Sequence, residues 1–318
     1  RGYFVNNTSA VGIVKLPAAA TIGDSIAIKD YAGNFGTNKL TIQRNSHKIQ
    51  GLANDSLLST NRASAVLVYV DATKGWLYTD EHNLADLQNA LYTEATGGTV
   101  TTSGDYKIHT FTGDGNFVVS QIGNPAGGPS IVDYAVVAGG GGGGSSLFGN
   151  GMTGGGGGGY RESKSPVAGS YTASPLATPT GITLTAQTYP ISVGAGGTQG
   201  SSWQPHGSSP GTSGSNSVFS TITSAGGGVG VGYQGAGQPG GSGGGGGDVH
   251  CRPGGDGNDP PVSPPQGNDG GNGSSHWSGG GVPNTSMGGS GGGAGGAGTP
   301  GSQRSGTLAG GPGTTSSI

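Results

Sequence analysis

The stretch Asp133-Tyr134-Ala135-Val136-Val137-Ala138-Gly139-Gly140-Gly141-Gly142-Gly143-Gly144 decides how this chain is read. A run with the composition of a buried β-strand passes, with no turn residue between, into six consecutive glycines. The glycines are distributed to match. Residues 1–138 hold 15 of the 75, whereas residues 139–318 hold 60, one in three. The second half also carries 15 of the 18 prolines but only nine charged side chains. Average proteins are about 7 % glycine, so the two halves obey different physics.

Collagen needs glycine at every third position. Here glycine comes in contiguous runs (139–144, 154–159, 243–247, 291–293), so collagen is excluded. A flexible linker is the other ordinary use of glycine. It has no use for the large side chains between the runs: Phe148, Tyr160, Tyr171, Tyr189, Trp203, Phe219, Tyr233 and Trp277. Polyglycine has one further ordered form, an extended left-handed helix of three residues per turn with no internal hydrogen bonds. Its N–H and C=O groups point outward and must pair with neighbouring strands when buried. Neighbours approach from every side only where no Cβ intrudes, hence the glycine. Several such runs, linked back and forth, predict a block joined by backbone hydrogen bonds, with the intervening segments as loops at its ends.

The first half reads as β. Residues 1–80 alternate apolar and polar through Tyr3-Phe4-Val5, Val11 to Leu16, Ile26-Ala27-Ile28, Leu40-Thr41-Ile42 and Ala65 to Val70. The loop Asp71-Ala72-Thr73-Lys74-Gly75 before Trp76-Leu77-Tyr78 suits a hairpin. A small antiparallel β-domain is expected over 1–80. Residues 81–96 are expected to form a short helical linker, with Leu84, Leu87 and Leu91 on one face and Asn83 as N-cap. That stripe packs on its own domain or forms a trimer seam. Strands resume over 97–138 and lead into the glycine-rich domain, 139–318. The expected class is mainly β.

Composition restricts function. Net charge is −3 and the pI 6.0, unlike a nucleic-acid binder. No run of 18 apolar residues spans a membrane. The single cysteine, Cys251, permits no intrachain disulfide. The chain opens on Arg1, read here as a processed product or the end of a longer polypeptide.

Catalytic motifs fail on context. Gly207-Ser208-Ser209-Pro210-Gly211 fits a nucleophile elbow, but Pro205 and Pro210 flank it and no strand-to-helix turn is predicted. Gly230-Val231-Gly232-Tyr233-Gln234-Gly235 fits a dinucleotide fingerprint without a βαβ unit. No enzyme and no cofactor are expected. Asp256, Asn258 and Asp259 form a weak calcium candidate, since the calcium nonapeptide repeat is broken by Pro260-Pro261; a polar turn is the simpler reading. Asp248, His250 and Cys251 read as a solvent-facing cluster, not a metal site.

Several segments carry a resemblance. Ser103-Gly104-Asp105-Tyr106-Lys107-Ile108-His109-Thr110-Phe111, Asp133 to Gly139, and Tyr189-Pro190-Ile191-Ser192-Val193-Gly194-Ala195-Gly196-Gly197 resemble the glycine-rich modules of bacteriophage tail fibres. The stretch from Gly2-Tyr3-Phe4-Val5 to Lys74-Gly75-Trp76-Leu77 is similar to a β-module in structural proteins of phages of marine bacteria. The resemblance implies a polyglycine II sandwich whose variable end loops contact the bacterial surface, in a virion protein acting outside the cell. It also implies a homotrimer, other tail-fibre or virion proteins as partners, and a protein or glycan receptor. Trp203 with His206, Trp277, Tyr171 and Tyr160 are the expected receptor contacts, because aromatic side chains give large rigid contact area. Capping the glycine block is the competing role for the same aromatics. The alternatives are a fibre-shaft or capsid-decorating protein with no receptor contact, and an extracellular ice-binding polyglycine II protein.

Overall fold

The computed structural model describes residues 1–80, 90–124, 127–145, 152–200, 211–232, 234–248, 250–274, 287–302 and 308–318. The chain is mainly β, with small sheets, no closed barrel and no helix among the described residues. The expected helix falls largely on 81–89, outside the described residues. Leu84 and Leu87 lie there, and Leu91 is in non-helical chain just before a strand.

Two compact units divide the chain. The first is Arg1–Glu94 with Gln121–Ser130. Its strands are β1 (Gly2–Val5), β2 (Gly12–Lys15), β3 (Ser25–Asp30), β4 (Leu40–Gln43), β5 (Ser56–Leu58), β6 (Ser64–Asp71) and β7 (Gly75–Tyr78). They form one sheet in the order β1-β3-β6-β7 and another in the order β2-β4-β5. The period-2 alternation has the expected result: in β6, Ala65, Leu67 and Tyr69 point inward while their neighbours face out. The core collects these with Ile26, Ile28, Phe35, Leu40, Ile42 and Trp76, each less than a tenth exposed. The sheets are mixed, not purely antiparallel, because β1 pairs with β3 and β2 with β4 in parallel. Parallel neighbours need a long connection. Alternating the chain between the two sheets supplies it.

A carboxylate is built into this core. Asp30, at the end of β3, is 3 % exposed and accepts the amides of Gly33 (2.9 Å), Phe35 (3.1 Å) and Arg62 (2.9 Å). Burial pushes its carboxyl up, but those amides outweigh it and hold the group below its ordinary value.

The second unit is Ala95–Ser120 with Ile131–Ile318. Its strands follow in chain order: β8 (Glu94–Thr96), β9 (Thr99–Ser103), β10 (Tyr106–Thr110), β11 (Gly115–Gln121), β12 (Ile131–Val132), β13 (Ala135–Val137), β14 (Tyr160–Ser163), β15 (Ala177–Thr178), β16 (Ile182–Thr183), β17 (Thr188–Ser192), β18 (Ser217–Phe219) and β19 (Ile222–Ser224). The largest sheet runs β19-β18-β17-β11-β8 over a small cluster of Phe117, Val119, Leu184 and Tyr189. A three-stranded sheet, β13-β14-β15, sits where β13 enters the six glycines.

Beyond these strands the glycine segments pair chiefly through their backbones, with a few side-chain ties such as Asn216 to the Gly226 amide and Asn272 to the Gly254 amide. Segment 240–247 is buried throughout. From Ser242 to Gly247 its amides rotate through three neighbours: Ser242 and Gly245 donate to Gly157 and Gly154, Gly243 and Gly246 to Asn268 and Gly271, Gly244 and Gly247 to Gln238 and Gly235, all within 2.8–3.0 Å. Its carbonyls rotate through three others. Ser242 and Gly245 accept from Gly228 and Val231, Gly243 and Gly246 from Gly292 and Gly289, and Gly244 from Gly255. Six segments therefore surround this one, with a partner repeat of three residues. Packing that close leaves no room for Cβ: a methyl on Gly245 would overlap the Gly289 carbonyl.

Gly245→Ala is expected to destabilise the second unit. Overpacking costs about 1–3 kcal/mol, offset by about 0.4–1 kcal/mol of lost unfolded-state entropy. At about 2–4 °C per kcal/mol, the melting temperature falls by a few degrees. Gly113→Ala, with no atom within 4 Å of its Cβ position, leaves it unchanged. Equal melting of the two variants in a thermal scan would remove steric exclusion as the reason for glycine.

Candidate functional site

Among residues 139–247 the only charged side chains are Arg161, Glu162 and Lys164, on or beside β14. Glu162 and Lys164 belong to a polar cluster of the second unit. Glu162 is fully buried. Its Oε2 accepts the Tyr160 hydroxyl (3.0 Å) and the Ser174 amide (3.0 Å), and its Oε1 accepts the Ser316 hydroxyl (2.6 Å). Burial raises the carboxyl's pKa, yet the donors of Ser174, Ser316 and Tyr160 overcome it and leave the group below its usual range. Beside it, Asp133 accepts the Ser163 hydroxyl (2.8 Å) and both the amide (2.7 Å) and hydroxyl (2.8 Å) of Ser165.

Two predicted receptor contacts belong to this cluster. Tyr160 and Tyr171 are both half-buried. Tyr171 donates its hydroxyl to the Ser163 carbonyl, while Lys164 Nζ lies 5.1 Å from its ring centre and donates to its carbonyl at 2.5 Å. Burial, then the charges of Asp133 and Glu162, push the Tyr171 phenol well up. Burial and Glu162 also raise Tyr160. Both hydroxyls therefore stay protonated and donate inward. The C-terminal residues close the cluster: Ser317 donates its amide to Thr172 (2.9 Å) and accepts the Thr172 amide on its hydroxyl (2.8 Å). Chemically this arrangement fastens the 164–176 loop and the C-terminal residues to β14. Its one sequence signal was the isolated charged triplet.

Trp203, His206 and Trp277 lie outside the described residues. In the calcium candidate, the Asn258 side-chain oxygen accepts the amides of Val262 and Gln266, both at 3.1 Å, and Asn258 Nδ2 donates to the Val262 carbonyl. The Asp256 carbonyl accepts from Gly240, and the Asp259 amide donates to Gly240. Asn258 thus organises a proline-rich loop, and no group of three His, Cys, Asp or Glu is placed to hold a metal among the described residues. Asp248 is buried, contrary to the expectation of a solvent-facing trio, whereas His250 and Cys251 are exposed. Gly247 and Asp248 continue the buried run of segment 240–247, which draws the side chain inside.

Two of the concavities among the described residues lie on this unit. A cleft of 480 Å³ is lined by Tyr134, Arg161, Thr178, Thr180 and residues 220–222. A groove of 740 Å³ is lined chiefly by the backbones of 154–158, 288–293 and 310–314.

Glu162 gives this unit an acid-sensitive contact. Its folded-state pKa is depressed, so its contribution is complete above the ordinary glutamate value of about 4.3 and disappears as pH falls through the lower folded value. Glu162→Gln is expected to cost about 1–2 kcal/mol at pH 7, because charge-assisted bonds become neutral ones. The melting gap between wild type and variant stays constant from pH 7 to about 4.5 and closes below that. A gap unchanged down to pH 2 would show that Glu162 is not the titrating group.

No curated protein matches this chain. The glycine-rich domain family matches residues 112–318, roughly two thirds of the sequence, and so takes in the large sheet except β8, the Glu162 cluster and every glycine segment described above. The chain belongs to the glycine-rich domain family.

Proposed function

We propose that this chain is a virion structural protein, a phage tail-fibre adhesin that attaches to the host bacterial surface through loops between glycine-rich strands. The observation that carries the reading is the backbone pairing around segment 240–247, where donors and acceptors repeat every three residues among six neighbours. Three residues per turn with all polar groups directed outward is the geometry of polyglycine II, so we read the block as a polyglycine II bundle. Such a block coheres without side chains, which leaves those on its connecting loops for recognition. The resemblance of Ser103–Phe111, Asp133–Gly139 and Tyr189–Gly197 to tail-fibre modules supports the same reading. On it the protein is extracellular, trimeric, and works without a cofactor.

A second reading draws on a specific observation. Tyr160 and Tyr171 are half-buried and direct their hydroxyls inward. Loop aromatics used in that way suit a fibre-shaft or capsid-decorating protein that touches no receptor. Trp203, His206 and Trp277 are the residues on which the two readings part.

The test is binding of the purified protein to intact marine bacteria, for wild type and for Trp203→Ala with Trp277→Ala. Saturable binding to one strain, reduced at least about ten-fold in a double variant with unchanged melting, is the expected result. Full binding by the double variant would exclude these tryptophans as anchors. Saturable binding to no strain across a panel that includes the host would favour the shaft reading.

A further inference from the structure

The 740 Å³ groove is walled chiefly by glycine backbone, with Val137, Met152, Tyr160 and Leu308 also lining it, and the backbone hydrogen-bonding register is incomplete in a regular way. In segment 154–159, Gly154 and Gly157 donate to Gly289 and Gly292, and Gly156 and Gly159 donate to Gly228 and Ala225. The residues between, Gly155 and Gly158, make no hydrogen bond among the described residues. In segment 287–293, Gly289 and Gly292 donate to Gly246 and Gly243 and Ser290 donates to Thr299, while the amides of Gly288 and Gly291 donate to no described acceptor. In segment 310–313, Gly311 donates to Gly291, and Gly310 and Gly313 are unpaired. Of these six glycines with open amides, all but Gly288 and Gly291 are partly or fully exposed; those two are buried at the groove wall. Buried amides without acceptors are costly and uncommon.

Every third residue of each wall thus faces the groove, a spacing of about 9.3 Å along a threefold extended strand. We propose that this groove binds an extended, left-handed threefold strand of another protein, with glycine at two of every three positions, which adds one more strand to the block. A ligand with this repeat meets the unpaired groups of all three walls at once. No charged side chain lines the groove, which matches a neutral strand. The third position faces water and tolerates proline. The chain itself places exposed prolines in this way within its glycine segments, at Pro253, Pro300 and Pro312. The interior segments of a second folded copy do not supply the strand, because those such as 240–247 have every amide committed internally. The inference rests on the polyglycine II reading and not on attachment to cells.

The test uses the full chain and two acetylated peptides, (Gly-Gly-Pro)3 and (Ala-Ala-Pro)3. Both favour the same extended helix, but the second carries methyl groups against the walls. Amide resonances of Gly288 and Gly291 are expected to shift saturably with the glycine peptide, and their hydrogen exchange to slow by about ten-fold or more at saturation. The alanine peptide is expected to bind at least about ten-fold more weakly. Gly313→Leu, at a position with no atom within 4 Å of its Cβ, keeps the wild-type melting temperature and loses binding by a similar factor. Equal binding of the two peptides, no shift up to millimolar peptide, or full binding by Gly313→Leu overturns the proposal. So does movement of the Gly288 and Gly291 resonances with protein concentration alone, which would assign the groove to a second copy. Slowly exchanging amides over 240–247 without peptide binding would sink only this inference. Fast exchange there would instead sink the polyglycine II reading beneath it.

Discussion

The backbone hydrogen bond between glycine segments distant in sequence is the interaction on which the second unit depends. Fixing one residue's backbone costs about 1–2 kcal/mol, and more for glycine. Each residue of segment 240–247 donates one bond and most accept one, so each accounts for about one shared bond, worth about 1 kcal/mol net. That alone does not offset the ordering cost. The remainder comes from how closely the backbones approach. Where Gly243 and Gly245 lack Cβ, a hydrogen is directed at the carbonyls of Gly255 and Gly289. Cα–H···O contacts contribute about 0.5–1 kcal/mol each, and the two contributions together reach the entropic cost. A strand with fewer neighbours does not, which is why segment 240–247, surrounded by six, is the centre of the block.

The first unit solves the same problem by the ordinary route. Trp76, Phe35, Leu67 and their neighbours remove apolar surface from water, and Asp30 ties the loops at its edge through three amides. A substitution there acts through lost contact area or a cavity. In the glycine block there is little side chain to lose, and substitution acts through intrusion. The sparse side chains that are buried there serve as ties. Gln266, 1 % exposed, accepts the Ala225 amide on Oε1 (2.8 Å), donates from Nε2 to Pro260 (2.9 Å) and accepts from Tyr160 on its backbone carbonyl (2.8 Å). It joins a segment end, a proline-rich loop and β14 in one residue.

The strands of the first unit were legible because alternation over Ala65–Val70 and the turn signal Asp71–Gly75 before Trp76 are local, and β6 and β7 pair there as a hairpin, with a loop shorter than expected because Asp71 and Gly75 are themselves paired. The parallel pairings of β1 with β3 and β2 with β4 were not legible, since they depend on how the chain alternates between two sheets. Glycine runs predicted where backbone would pack on backbone, but not which runs would be neighbours. Residues without side chains carry no pairing code of their own. The Glu162 cluster was hidden for a related reason. Its donors come from two residues away at Tyr160, twelve at Ser174 and 154 at Ser316, and only the last two depend on the fold. Tyr171 reads in sequence as an exposed anchor because the Ser163 carbonyl that accepts its hydroxyl becomes adjacent only after β14 and its loop have folded, and Tyr160 reads the same way because nothing local shows that its near neighbour Glu162 is buried.

A block held together by main-chain groups separates cohesion from side-chain identity more completely than an apolar core does. In the first unit, the residues that set the surface share strands with those that fill the core, so each exposed position is one residue from a constrained one. In the second, the constraint on positions such as Gly245 is the lack of a side chain. A connecting loop is tied to the block chiefly at its two ends and at a few buried polar residues such as Gln266 and Glu162. Changes elsewhere in a loop leave the main-chain pairing intact, so loop sequence is free to follow whatever it contacts. The same physics makes the edge of the block selective. Any segment joining it must match a three-residue repeat of donors and acceptors and present no Cβ to the walls, a requirement met by few polypeptides and by no ordinary β-strand, whose polar groups repeat in two directions and not three.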